Sequence, residues 1–251
     1  MATLLLKKSY LLKNLKETKF NDLWDSYGIF TTMRVIGKKK KILFLKQHIN
    51  NLIKSIKIYK LNIKHLKKKI FTIINKSLAP KKNYDHLIRI ALNKKLISIS
   101  LRKRIQITSK FKLKLLNYKR IDPTHKNLKY KVILSFFKKF NNRYYDVALL
   151  KNNKFLETGT SNLLFIQNNK IYSPKKDFYA GITFKFFRKK IKIIFKDIII
   201  NEINLYDEII LVGSGKGVTS VSEIEKIGWK RKSFKYYKKL ISIYKNEIKK
   251  L

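Results

Sequence analysis

The sequence contains no cysteine. Disulfide frameworks and thiolate metal sites are therefore excluded, and a reducing cytoplasm is the expected compartment. Proline occurs three times and glycine eight times in 251 residues, which leaves no room for proline-rich tracts or Gly/Ser linkers. Long apolar runs are also missing. Residues 191–212 form the most apolar stretch, but Lys192, Lys196, Asp197, Glu202, Asp207 and Glu208 interrupt it. Nothing approaches the roughly 18 uncharged apolar residues of a membrane span, so no membrane partner is expected. The opening segment, MATLLLKKSYLLKNLK, has no long apolar region and no small-residue cleavage site, so no secretion signal is expected.

Acidic residues are scarce as well. Fifteen stand against 60 basic ones, a formal net charge of +45. Such a charge points first to nucleic acid or an anionic surface, because bound lysines release counterions. Two features argue otherwise. Only eight of the basic residues are arginine, the side chain that reads phosphate and guanine bidentately. The lysines are also spread along the whole length rather than gathered in a tail. Lys, Ile, Asn, Phe and Tyr, all abundant here, share AT-rich codons, so compositional drift is the simpler reading. No specific nucleic-acid partner is expected, though non-specific polyanion binding is.

With 45% hydrophobic residues the chain can bury a substantial core. GIFTTMRVI (residues 28–36) reads as a strand, and the GKKK turn leads to a second strand, KILFL. Leu45, Ile49, Leu52, Ile53 and Ile56 recur at helical spacing. Another helix is expected over residues 62–78, stopped by Ala79-Pro80. Strands are expected at 86–93 and 96–102. Asn117 to Thr124 (NYKRIDPT) is the best boundary, with its turn-forming Asp-Pro. Leu128, Val132, Ile133, Phe136, Phe137 and Phe140 mark an amphipathic helix. Two hairpins follow, 145–150 with 154–158 and 162–166 with 170–172. A helix opens at Gly181 and runs to about residue 192. A buried strand at 207–212 and a final helix from Ser233 complete the chain. Helices framing a largely antiparallel set of strands give an α+β, mixed α/β class. The organisation expected is a small α/β domain over 1–116, a linker over 117–123 and a larger domain over 124–251.

Four segments of the second half carry candidate chemistry. They are THKNLKY with Lys126, ETGTSN (157–162), AGIT (180–183) and GSGKGVTSV (213–221). Each alone reads blandly: a surface lysine, a turn, a helix entry, a flexible glycine pair. GSGKG lacks the P-loop spacing, so an NTPase is excluded. No metal-binding cluster is expected.

In this order, however, the four segments resemble the class IV, fold-type IV, pyridoxal-phosphate enzymes. These include branched-chain aminotransferases, D-amino-acid aminotransferases and aminodeoxychorismate lyases. The resemblance spans about Thr124 to Val221, with a looser match over Tyr27 to Ser55. It implies a two-domain fold whose larger domain is a pseudo-barrel of strands with flanking helices, and a homodimer. It implies that Lys126 carries the cofactor aldehyde as a Schiff base and then moves protons at the substrate α-carbon, as an amine of lowered pKa. Glu157 would face the pyridine nitrogen and keep it protonated. Tyr130, taken as one helical turn after Lys126, would meet the phenolic oxygen. Backbone N–H groups of Ile182 and Thr183 would meet the phosphate, with Ser214 and Gly215 completing the cradle.

Three positions depart from the family pattern. Asn51 stands where many members have a phosphate-binding Arg, with Lys54 one turn on as a substitute cation. Ser220 replaces a Pro, and Thr31 a Glu. Within the family, GIFTTMRV and the short chain favour 4-amino-4-deoxychorismate lyase, which releases pyruvate and p-aminobenzoate in folate synthesis. An amino-acid transaminase, branched-chain or D-amino-acid type, is the alternative, either acting on a small amino substrate. A basic nucleic-acid-binding protein and an inactive relative, the latter suggested by Asn51, are remoter readings.

Overall fold

The computed structural model describes residues 4–79 and 82–251. The expected stop at Pro80 lies outside the described residues. By contacts the chain divides into two units: residues 4–104 with 125–131, and residues 105–124 with 132–251.

The first unit is built on strands β1 (Leu4–Leu11), β2 (Glu17–Thr18), β3 (Ile29–Gly37) and β4 (Lys41–Ile42), helices α1 (Leu45–Ile58) and α2 (Leu66–Ser77), and strands β5 (Tyr84–Leu92) and β6 (Leu96–Lys103). The strands form one antiparallel sheet in the order β2-β1-β6-β5-β3-β4. Side chains alternate across it. Ile29, Met33 and Val35 of β3 and Ile88, Ile90 and Leu92 of β5 join Ile49, Leu52 and Ile56 of α1 and Ile70, Ile73 and Ile74 of α2 in one core. Each such side chain contributes about 1.5–3 kcal/mol by leaving water. The core carries α1, because that helix has no side-chain cap and no acidic residue in its first turn. KILFL is not a strand throughout. It pairs only at Lys41–Ile42, and Phe44 turns left-handed (φ 57°) to start α1.

The second unit contains β7 (Lys112–Asn117), α3 (Lys131–Phe137, whose first residue belongs to the first unit), β8 (Tyr145–Lys151), β9 (Lys154–Thr158), β10 (Asn162–Gln167), β11 (Lys170–Pro174), α4 (Ile182–Arg188) and β12 (Ile194–Lys196). A 3-10 turn at Ile200–Leu205 precedes β13 (Glu208–Gly213), β14 (Gly217–Ser220), β15 (Glu223–Ile224), β16 (Trp229–Lys230) and α5 (Lys235–Lys249). Two five-stranded sheets result, ordered β12-β11-β10-β13-β14 and β16-β15-β7-β8-β9. Phe155, Phe165, Tyr206, Leu211 and Trp229 lie in their common core. The Trp229 indole N–H donates to the Tyr206 carbonyl at 2.9 Å. Three strand pairs are parallel, β7 with β8, β7 with β15, and β11 with β12, so the set is less uniformly antiparallel than the sequence suggests.

Candidate active site

In the first unit, Lys126 is not on a helix. Its carbonyl accepts the Phe30 N–H at 2.9 Å, the Leu128 N–H reaches the Gly28 carbonyl at 3.0 Å, and Asn127 bridges Ile29 in antiparallel sense. The segment is thus a strand-like rider on β3. Helix α3 begins only at Lys131 because these backbone groups are spent on the sheet. Gly28 is required at this junction: a Cβ there would lie 2.1 Å from the Leu92 carbonyl oxygen.

The half-buried Lys126 ammonium lies 5.0 Å from the Phe30 ring centroid. Tyr130 is consequently not one helical turn from Lys126. Its buried ring packs against Trp24 and Phe30, at 5.6 and 5.4 Å between centroids. Arg89 stacks its guanidinium 3.6 Å from the Trp24 centroid and donates to the Asp22 carbonyl at 2.9 Å. Its Nε is buried without a partner among the described residues, and burial lowers its pKa to about 9.

On the other face of β3, Thr31 Oγ1 lies 2.8 Å from Nδ1 of His48, which is 4% exposed. Burial, and secondarily the charge of Lys126, lowers the His48 pKa to about 3. His48 is therefore a neutral imidazole at any physiological pH. Asn51 lies three residues on in α1, where its carbonyl accepts the Ser55 hydroxyl, and Lys54 is exposed.

The second unit holds the remaining candidates. Glu157 is the penultimate residue of β9, and its carboxylate is 6% exposed. Arg120, 1% exposed, donates through Nε to Glu157 Oε1 at 2.7 Å and through Nη2 to the Pro123 carbonyl at 2.7 Å. The Tyr179 N–H reaches Glu157 Oε2 at 3.3 Å. Burial, helped by Glu157 and opposed by Arg120, pushes the Tyr179 phenol up to about 12. A buried carboxylate needs such a partner to remain anionic. Sequence reasoning missed Arg120. Arginine's rarity in a lysine-rich chain was the available signal, since guanidinium suits buried pairs better than ammonium.

Asn162, which opens β10, fixes the start of α4. Its Oδ1 accepts the Gly181 N–H at 3.0 Å and its Nδ2 donates to the Tyr179 carbonyl at 2.6 Å. This places Ile182 and Thr183 in the first turn of α4, where backbone N–H groups have no helical acceptor. Thr183 is 1% exposed, and its hydroxyl has no partner among the described residues. Such an orphan suits an anionic oxygen. Ser214 and Gly215 sit half-buried in the turn between β13 and β14. A Cβ on Gly213, at the foot of that turn, would lie 2.8 Å from Ser161 Oγ, so the turn packs closely on the 158–162 loop. The structure thus places Glu157 on β9, Thr183 on α4 and Ser214 and Gly215 in the β13–β14 turn of one unit, and Lys126 with Tyr130 in the other unit. Among the described residues no cluster of His, Asp and Glu could hold a metal ion.

The sequence profile described as amino-transferase class IV matches residues 28–224. The chain belongs to the class IV aminotransferase family. Enzymes of this family use pyridoxal phosphate, and the chain is one of these aminotransferase-type or lyase-type enzymes. No curated protein sequence matches it. Solved structures share its fold. The branched-chain aminotransferase from Thermoproteus uzoniensis is 17% identical, with 95% of this chain and 93% of that one covered and a TM-score of 0.77. A hypothetical aminotransferase from Mycobacterium tuberculosis, in a PLP-bound form, is 12% identical, with 95% and 98% covered and a TM-score of 0.70. The 4-amino-4-deoxychorismate lyase from Pseudomonas aeruginosa is 14% identical, with 87% and 90% covered and a TM-score of 0.68.

Proposed function

We propose that this class IV enzyme is a 4-amino-4-deoxychorismate lyase, releasing pyruvate and p-aminobenzoate for folate synthesis. Lys126 would hold the cofactor's aldehyde carbon, Glu157 its ring nitrogen and Tyr130 its phenolic oxygen. The Ile182 and Thr183 N–H groups, with Ser214 and Gly215, would hold its phosphate. The observation that carries this placement is the buried, unpartnered Thr183 hydroxyl beside the Asn162-held start of α4. When bound, the cofactor supplies an electron sink for charge developing at the substrate carbon.

The chain's own residues do the rest. Lys126 Nζ takes and returns the proton at the substrate carbon. Arg120 holds the Glu157 carboxylate in place and balances its charge. Arg89, a half-buried cation stacked on Trp24 in the same unit as Lys126, offers N–H groups to a substrate carboxylate. Short length and the FTT segment favour the lyase. Amino-acid transamination is the second reading, favoured by the 95% coverage against the Thermoproteus branched-chain enzyme. A homodimer in the cytoplasm is the setting expected of either.

Borohydride reduction of the protein loaded with pyridoxal phosphate should fix the cofactor to Lys126, read by peptide mass spectrometry. A label elsewhere, or none, refutes the placement. Release of p-aminobenzoate, assayed beside amino transfer from leucine or D-alanine to 2-oxoglutarate, separates the two activities.

A further inference from the structure

Lys216 does not behave as a surface lysine. Its ammonium lies 3.0 Å from Asp146 Oδ2, with 10% of the lysine and none of the aspartate side chain exposed. It also donates to Thr160 Oγ1 at 2.6 Å. The aspartate, near the start of β8, is held from several sides. The Val147 N–H donates to Oδ1 at 2.8 Å, and the Thr158 and Thr160 hydroxyls donate to Oδ2 at 2.8 and 2.6 Å. One carboxylate therefore gathers two hydroxyls from the loop that joins β9 to β10 and a cation from the turn that joins β13 to β14. That loop is flanked by Glu157 near the end of β9 and by Asn162 at the start of β10. That turn presents Ser214 and Gly215. Confining a long, flexible side chain in this way costs rotamer freedom, and unlike the exposed pairs Lys8–Glu17 and Lys154–Asp197, this one is almost wholly buried.

We propose that Lys216 is a positioning residue. Through Asp146 and Thr160 it fixes the Ser214–Gly215 turn against the 158–162 loop, and so sets how tightly the turn holds a phosphate monoester. This inference rests on the phosphate-binding part assigned above to Ser214 and Gly215. Backbone donors in a turn bind an anion well only when held in one arrangement, because the cost of ordering them is then already met. Asp146 balances the charge of the ammonium, so Lys216 acts on the turn by position rather than by offering a free cation to the phosphate.

The test compares dissociation constants of the apo-protein for pyridoxal phosphate and for pyridoxal, which lacks the phosphate. It uses wild type, Lys216→Met, Lys216→Arg and Thr160→Val, each also checked by thermal unfolding. The ratio of the two constants reads the phosphate contribution alone, which a purely structural role would leave unmoved. Lys216→Met and Thr160→Val should weaken pyridoxal phosphate about tenfold while changing pyridoxal by less than about twofold, since small misplacements of binding groups have large effects. Lys216→Arg should restore most of the ratio. Thr160→Val keeps the ion pair and carries the test alone if Lys216→Met does not fold. An unchanged ratio in a folded Thr160→Val, or equal weakening of both ligands, overturns the positioning role. A wild-type protein that binds the two ligands equally well overturns the phosphate assignment itself.

Discussion

Acid should weaken the first unit through His48. An unfolded histidine has a pKa near 6.5, whereas the buried ring in the fold is held at about 3. The sign follows directly. The folded state prefers the neutral base, so its contribution is fully present above about pH 6.5 and is lost as pH falls, because only the unfolded chain gains the proton. Below that point stability drops by up to about 1.4 kcal/mol per pH unit. Integrated from pH 7 to pH 5, the loss attributable to His48 is about 2 kcal/mol. His86 is shifted in the same direction, so raw pH profiles will not isolate the effect. The decisive quantity is the difference between wild type and His48→Asn, which keeps a polar group for Thr31 but does not titrate. Urea unfolding at several pH values, followed by fluorescence of Trp24 in the same unit, measures it. If the two proteins lose stability in parallel from pH 7 to 5, the neutral buried imidazole is refuted.

Arg120→Met should cost about 3–5 kcal/mol, because it strands the Glu157 carboxylate in the interior. Chemical denaturation measures this, and adding Glu157→Gln to the same chain should recover part of the loss. Gly28→Ala should push the Lys126 segment from β3, since the new methyl meets backbone at 2.1 Å and cannot be accommodated by a rotamer change. Faster hydrogen exchange at the Leu128 amide, which donates to Gly28, is the expected readout. A loss of about 1–3 kcal/mol should accompany it.

The hairpins were legible because their turns carry their own chemistry. Asn152-Asn153 and Asn168-Asn169 all adopt positive φ, between 48° and 57°, which asparagine tolerates and which suits the twist of two-residue hairpins. Helix α1 was legible from its apolar spacing. The Lys126 segment misled for a specific reason. Leu128, Val132, Ile133 and Phe136 mimic a helical stripe, but Leu128 is buried beside Gly28 in a sheet-like rider rather than on the helix. Tertiary hydrogen bonding overrode local periodicity there. Strand β7 gave little signal because its partners are parallel and distant in sequence. At the candidate site, the motifs pointed to Glu157, Thr183 and Ser214. Of the supporting groups, Arg120 had only the rarity of arginine to mark it and Lys216 only its place in GSGKG, while Asp146 and His48 gain their meaning from contacts across the fold.

In a chain with four cations to each anion, the carboxylates carry the information that lysines cannot. Glu208 shows why. It is fully buried at the start of β13, and its two oxygens accept the N–H groups of Tyr236 and Tyr237, each at 2.8 Å, at the opening of α5. The carboxylate thus satisfies two donors that the helix leaves without partners and faces the positive end of its dipole. Glu208→Gln keeps the shape but offers only one acceptor, so one N–H confronts an amide NH2 in the interior. The expected cost is about 1–3 kcal/mol. Glu17 is paired with Lys8 at the same distance scale, 2.9 Å, but both are well exposed, so Glu17→Gln should stay within about 0.5 kcal/mol. Urea denaturation of the two variants compares them directly. Equal costs would mean that burial does not decide which acids matter, and the importance given above to Asp146 and Glu157 would lose its physical basis.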